Sequence, residues 1–322
     1  TDYQALLDDI DLLDVAGEQW SMDKVNKGEL TPMFFGSAMT NFGVRGFLEE
    51  YLRLAPAPQP RMSSDGLISP DDEKFSGFIF KIQANMNPAH HDRLSFIRIC
   101  SGKFERGMSV YHMQGGKAVK LSQPQQFLAQ DRQIIDTAYP GDIVGLFDPG
   151  IFGIGDTLCM PSHKFKFADF PVFPPERFAR VSAKDTMKRK QFVKGIMQLT
   201  QEGAVQLFQQ AGAGMESYIV GTVGQLQFDV LEYRLKSEYN TEIVMNMQPF
   251  EVARWLRFKD NRPVTPESLR GADRGMFVYD MKDRPVLLVN NEWALGWIQD
   301  NNPDLEMFPV PPEKQDAEDD MK

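Results

Sequence analysis

The chain has 322 residues, 42% of them hydrophobic and 25% charged, an ordinary composition for a soluble globular protein with room for two or three cores. Its longest apolar runs fall short of a membrane span, its N-terminal TDYQALLDDIDLLD is acidic where a secretory leader is basic, and its two cysteines, Cys100 and Cys159, stand far apart. These features argue for a cytoplasmic protein away from membranes, and a formal net charge of −10 argues against nonspecific binding to DNA.

In chain order, residues 1–30 read as helix and loop, and LTPMFF as a short strand opening into the small-residue loop Gly36-Ser37-Ala38. Val44, Phe47, Leu48, Tyr51 and Leu52 recur at helical spacing and predict a helix ending near Leu54. The Pro- and Ser-rich APAPQPRMSSDG then has the composition of a linker, placed at 56–72. Residues 73–168 read as all β. In KFSGFIFKIQ the alternation places Phe78, Phe80 and Ile82 on one face. In RLSFIRICSGKF, Leu94 and Phe96 share one face and Ile97 and Ile99 the other. Short strands separated by QGGK, YPGD, DPG and IGD predict a closed antiparallel barrel.

The period changes from about residue 175. ARVSAK is strand-like, and DTMKRKQFVKGIMQLTQEG is helical, with Met187, Phe192 and Met197 among its apolar positions. AVQLFQQ and SYIVGTVG follow as strands. QLQFDVLEYRLKSEY is a helix expected to bury Leu226, Val230, Leu231 and Leu235, and EIVMNM returns as a strand. The order is βαββαβ, the split α/β sandwich. Residues 251–310 repeat it more loosely, and PPEKQDAEDDMK, with 311–322 as its bounds, is an acidic tail.

Few motifs carry chemistry. The chain contains no GxxxxGK[ST] phosphate loop. NKGE at Asn26–Glu29 imitates the guanine-specifying NKxD with Glu in place of Asp, a short match that chance supplies easily. His90-His91-Asp92 lacks a second ligand cluster, and AGAG at Ala211–Gly214 opens no helix directly. No spacing nominates a Ser or Cys nucleophile with its base. Charge, however, is segregated. Residues 1–30 hold eight acids against two lysines, whereas 74–120 holds eight basic residues against Asp92 and Glu105. A solvated face and a surface for a polyanion are both compatible with that segregation.

GELTPMFFGSAMTNFGV, APAPQPR, FSGFIFKIQANMNPAHHDRLSFIRICSGKFERGM, AYPGDIVGLFDPGIFGIGDTL, QEGAVQLF, VGTVGQLQFDVLEYRLKSEYN and ARW together resemble the bacterial peptide-chain release factor 3 family, translational GTPases related to elongation factor G. The resemblance implies a multidomain α+β protein. Residues 1–55 would be the C-terminal remnant of a P-loop GTPase domain. Residues 73–168 would form the translation-factor antiparallel β-barrel, and 169–310 the C-terminal α/β domain with βαββαβ, ferredoxin-like order. Ser37, Ala38 and Met39 correspond to the loop lying against the guanine, while the phosphate loop, switch regions and NKxD would lie upstream of residue 1.

The family uses GTP or GDP with magnesium, so by resemblance this chain alone is expected to bind no nucleotide tightly and to hydrolyse none. The implied role is to engage the bacterial ribosome, its RNA and proteins, and to drive off and recycle the codon-reading release factors, as a monomer. Lys81, Arg93, Arg98, Lys103 and Arg106 on the barrel are candidate RNA contacts, as are Lys188, Arg189, Lys190 and Lys194 on the first helix of the third region. The alternative is a free-standing β-barrel and α/β adaptor that binds RNA or protein without GTPase activity.

Overall fold

The computed structural model describes residues 2–84, 93–121, 124–128, 131–168, 170, 172–210 and 218–312, with the backbone alone described at 125–128 and 131–133. They fall into two compact units, Thr1–Gln59 and Pro60–Lys322.

The first unit carries three helices, α1 (Asp2–Ala16), α2 (Met22–Asn26) and α3 (Val44–Leu54). The Ser21 hydroxyl accepts the Lys24 N–H at 3.4 Å and starts α2. Gly43 precedes α3 with φ of 71°, and a Cβ there would lie 2.5 Å from the Phe35 carbonyl oxygen. The strand expected over LTPMFF is not formed. A strand needs a neighbour for its N–H and C=O groups, and among the described residues none runs beside this segment. A single antiparallel bridge between Ser37 and Phe42 closes the loop instead.

The second unit begins with the hairpin β1 (Arg61–Ser63) and β2 (Gly66–Ile68), inside the stretch read as linker. The hairpin is folded onto its neighbours, because the Arg61 guanidinium lies 3.9 Å from the Phe78 ring centroid and Ile68 is buried. Ten further strands follow. They are β3 (Ser76–Ala84), β4 (Arg93–Ser101), β5 (Phe104–Glu105), β6 (Ser109–His112), β7 (Lys117–Lys120), β8 (Gln125–Leu128), β9 (Asp131–Ile134), β10 (Thr137–Ala138), β11 (Ile143–Phe147) and β12 (Thr157–Cys159). Eight make a barrel-like antiparallel sheet in the order β7-β6-β12-β3-β4-β11-β8-β9, with β5 paired to β10. Ile79, Ile82, Ile97, Ile99, Val144 and Leu158 fill its core.

The register shifts between Ile79 and Lys81, and this bulge corrects the expected alternation. The extra residue turns Ile82 onto the face of Ile79, while Phe78 and Phe80 pack outward with Phe165 and Phe167.

The remainder is one eight-stranded sheet made by two passes of βαββαβ. The first pass is β13 (Arg177–Ala183), α4 (Arg189–Gln201), β14 (Gln206–Gln210), β15 (Tyr218–Thr222), α5 (Gln225–Tyr239) and β16 (Ile243–Gln248). The second is β17 (Val252–Phe258), β18 (Met276–Asp280), β19 (Pro285–Val289), α6 (Glu292–Asn301) and β20 (Leu305–Phe308), with 3-10 turns at Pro266–Ser268 and Ala272–Arg274 where its first helix would stand. Pairing of β14 with β18 joins the passes in the order β16-β13-β15-β14-β18-β19-β17-β20.

The apolar stripe of α5 differs from the one expected. Phe228, Leu231, Leu235 and Tyr239 are buried, whereas Leu226 and Val230 are exposed. Both stripes fit a helical period. The choice follows from Gly195 on α4, where a Cβ would lie 2.7 Å from Leu235 and 2.8 Å from Tyr239, so the absent side chain admits those two. Met187, expected in the stripe of α4, stands exposed in the preceding 3-10 turn.

On the helix-free face Phe178, Phe208, Ile219, Trp255, Val278 and Val286 make one cluster. The Phe208 and Trp255 rings are 6.0 Å apart although β18 and β19 separate their strands. Across a flat sheet three strand spacings would amount to about 14 Å, so this sheet curls its bare face inward. Trp255 donates its indole N–H to Asp280 at 2.8 Å, which satisfies both groups inside the curl. Phe208→Ala should therefore cost about 3–5 kcal/mol in equilibrium urea unfolding followed by circular dichroism.

Candidate functional site

The barrel candidates separate once folded. Lys81 on β3 reaches over the Phe96 ring of β4, 5.4 Å from its centroid. Phe96 and Arg98 stand two residues apart on β4 and therefore share a face, and Arg98 is exposed. Their direct partners on β11 are Gly145 and Ile143, and Phe147 completes the row opposite Leu94. Ile143 and Phe147 are about half exposed, at 44% and 50%. The outer surface of β3, β4 and β11 thus interleaves two cations with apolar and aromatic side chains. Sequence reasoning found the cations and missed Phe96, Ile143 and Phe147 as their companions. The signal was present in IVGLF, whose alternation sends Ile143 and Phe147 to one side.

Arg93 lies at the start of β4 and is committed internally. Its Nε donates to the buried Asp148 carboxylate at 2.8 Å, its Nη2 donates to the Phe152 carbonyl at 2.7 Å, and its Nη1 donates to Gln201. Ser95 Oγ and the N–H groups of Gly150 and Ile151 also reach Asp148. Beside it the Ala84 N–H donates to Glu202 at 2.9 Å, and Glu202 in turn accepts from Arg234 at 2.6 Å. The C-terminal end of α4 is thereby fastened to the ends of β3 and β4. Arg93 supports this junction, with only 11% of its side chain exposed, which corrects its expected place among the surface cations.

Lys103 and Arg106 flank β5. Lys103 pairs with Glu105 at 2.9 Å, a hydrogen bond that holds its pKa above the ordinary lysine value, and Arg106 pairs with Asp136 at 3.2 Å. These are exposed pairs of small worth, so both cations can turn to another anion at little cost. On α4, Lys190 and Lys194 are exposed. Lys188 is half-buried and donates to the Asn240 carbonyl at 2.7 Å, closing the C-terminal end of α5. Arg189 is exposed at the first turn of α4.

In the first unit Ser37 is half-buried, and its N–H donates to the Phe42 carbonyl at 2.9 Å. Ala38 and Met39 are exposed at the loop tip, Met39 almost wholly. Lys27 of the NKGE run pairs with Asp23 at 2.7 Å as a surface ion pair. A groove in this unit is lined by Trp20, Leu30, Met33, Phe34, Leu54 and the carboxylates Glu18 and Glu50. That lining offers no cation to a phosphate.

Other chemistry finds little support. Burial pushes the Cys100 thiol up to about 11 and raises that of Cys159, which suits neither to nucleophilic attack near neutral pH. Among the described residues no three His, Cys, Asp or Glu gather as a metal site. His90-His91-Asp92 and the Ala211–Gly214 run lie outside the described residues.

Known proteins resemble this chain closely. The model described as "Class II release factor RF3, C-terminal domain" matches residues 167–299, and "Elongation factor G domain 2" matches 74–161. Peptide chain release factor 3 of Symbiobacterium thermophilum is 52% identical over 303 residues, which is 94% of this chain and 56% of that protein. Along nearly all of its length the chain is similar to release factor 3. The Listeria welshimeri protein of the same name is 51% identical over 305 residues, 95% of this chain and 57% of its own length. The chain therefore spans little more than half the length of these relatives. A crystal structure of a Thermus thermophilus protein shares the fold with TM-score 0.53 at 18% identity, covering 76% of this chain and 36% of that one.

Ala84 and Arg93 fall in one family match and Gln201 and Glu202 in the other, so the junction joins the two matched regions. Arg93→Ala would leave the buried Asp148 carboxylate uncompensated and should cost about 3–5 kcal/mol in urea unfolding. Arg98→Ala on the exposed face should stay within about 0.5 kcal/mol of the parent.

Proposed function

We propose that this chain is the ribosome-facing part of a release factor 3-type translation factor. In a cytoplasmic, GTP-driven cycle with magnesium, such a factor stimulates termination by releasing and recycling the codon-reading release factors. The observation carrying this reading is the identity of 52% along 94% of the chain to a peptide chain release factor 3. GTP binding would bias a conformational equilibrium, and the barrel with its attached α/β sheet would transmit that bias to the ribosome. Ser37, Ala38 and Met39 are proposed as the loop beside the guanine. The Ser37 N–H already serves the loop, so the Ala38 and Met39 amides at the exposed tip are the ones available to a base oxygen.

For the ribosome contact we assign the face of Lys81 and Arg98, with Lys103 and Arg106 beside β5 and Lys190 and Lys194 on α4 as further phosphate contacts. Phosphate neutralisation releases counterions, so each contact adds to the salt dependence of binding. Exposed apolar groups beside Lys81 and Arg98 give such a face stacking and packing as well as charge.

Two measurements test the reading. Replacing Lys81 and Arg98 together by Ala should weaken co-sedimentation with bacterial ribosomes and lower the slope of log K against log salt by about 1 for each lost contact. Unchanged sedimentation across a salt series would remove this face from the interface. Calorimetric titration of the 322-residue chain with GTP or GDP should give no tight binding, since the sequence holds no phosphate loop. Tight binding would place a nucleotide site within these residues.

A further inference from the structure

The outer face of α6 carries two aromatic side chains that the barrel surface does not account for. Trp293 and Trp297 stand one turn apart, with Trp293 71% exposed and Trp297 half-buried. Gly296, between them in the chain, is exposed, and a Cβ there would meet nothing within 4 Å, so this part of the helix surface is open. Against Trp297 runs the loop from Arg270 to Arg274. Gly271, with φ of 83°, brings the loop so close that a Cβ would fall 2.4 Å from the Trp297 ring. That approach lays the Arg274 guanidinium over Trp297, 3.9 Å from its centroid, and within 5.9 Å of the Trp293 ring.

A guanidinium resting on an indole keeps its other face for a second planar group. Arg270 and Arg274 are both exposed. Glu292, the acid next to Trp293, is neutralised by Arg254 at 3.1 Å. Asp273 and Asp300 stand on the same two elements, so the surface has local cations without a broad positive field. Stacking therefore outweighs phosphate attraction here. We propose that this surface binds an unpaired RNA base, which stacks against Arg274 with Trp293 as its side wall. Unpaired bases are what aromatic and guanidinium planes select in RNA, and duplex RNA offers none. The proposal extends the ribosome-facing reading to a second surface and rests on it for the source of the RNA.

The test uses the full 322-residue chain and fluorescence anisotropy with a labelled oligoadenylate and a duplex RNA of equal length. The single strand should bind more tightly than the duplex. Trp293→Ala should weaken binding about 5- to 150-fold, the range for loss of one base–aromatic stack. Arg274→Lys keeps the charge and loses the plane, so it should weaken binding too, with unchanged circular dichroism showing both variants folded. Equal affinity of the Lys variant and the parent would overturn the proposal, as would preference for the duplex. A photo-crosslinking residue at 293 should attach to ribosomal RNA, and attachment to a ribosomal protein would also overturn it. A parent chain that sediments with ribosomes but binds no oligoadenylate defeats this surface alone. The reverse result defeats the ribosome reading and leaves the surface standing.

Discussion

Glu202 is the group on which the arrangement of the larger unit depends. A carboxylate withdrawn from water is expensive unless hydrogen bonds and an opposite charge answer it. Glu202 is answered by the Ala84 N–H from the barrel and by Arg234 from α5. One side chain therefore spans both modules. Arg93 does the same from the other direction, binding Asp148 and Phe152 within the barrel and Gln201 on α4. Turning the α/β sheet away from the barrel would take the Ala84 N–H from Glu202 and the Gln201 amide from Arg93, leaving each ion pair with part of its hydrogen-bond shell unmet.

That constraint gives the surface assignments their meaning. The row of Lys81, Phe96, Arg98, Ile143 and Phe147 is displayed by strands whose ends are pinned at the junction. The basic residues of α4 sit on a helix whose far end makes the same junction. A ribosome contact on either module would thus be felt by the other without a hinge being crossed. Within the α/β sheet, the curl that closes Phe208 onto Trp255 lets two βαββαβ passes share one core, and it leaves α6 facing outward with its two tryptophans.

Much of this was legible from residue patterns. Helix α3 and helix α5 were set by apolar spacing and by their stop signals, and the order of strands and helices from 177 onward followed from the change of period. Three of the errors share one cause: each was a choice among equivalent local solutions. Leu226 and Val230 fit the apolar stripe of α5 as well as Phe228 and Tyr239 do, and Gly195 on another helix decided between them. Phe80 and Ile82 alternate perfectly well until a bulge adds one residue. Arg93 has the same side chain as Arg98, and only the fold brings Asp148 beneath one of them.

By itself, then, the sequence determined most of the strands and helices, their order and the resemblance to release factor 3, because spacing, turn residues and long motif runs are properties of neighbours along the chain. It also determined the absence of a phosphate loop within these residues. The tertiary structure alone decided which cations are spent inside and which face solvent, since an ion pair is chosen by approach in space. It alone placed Arg274 over Trp297, through a loop that only a glycine allows so near the ring. Local chemistry writes the list of groups, and packing decides which of them remain available to a partner.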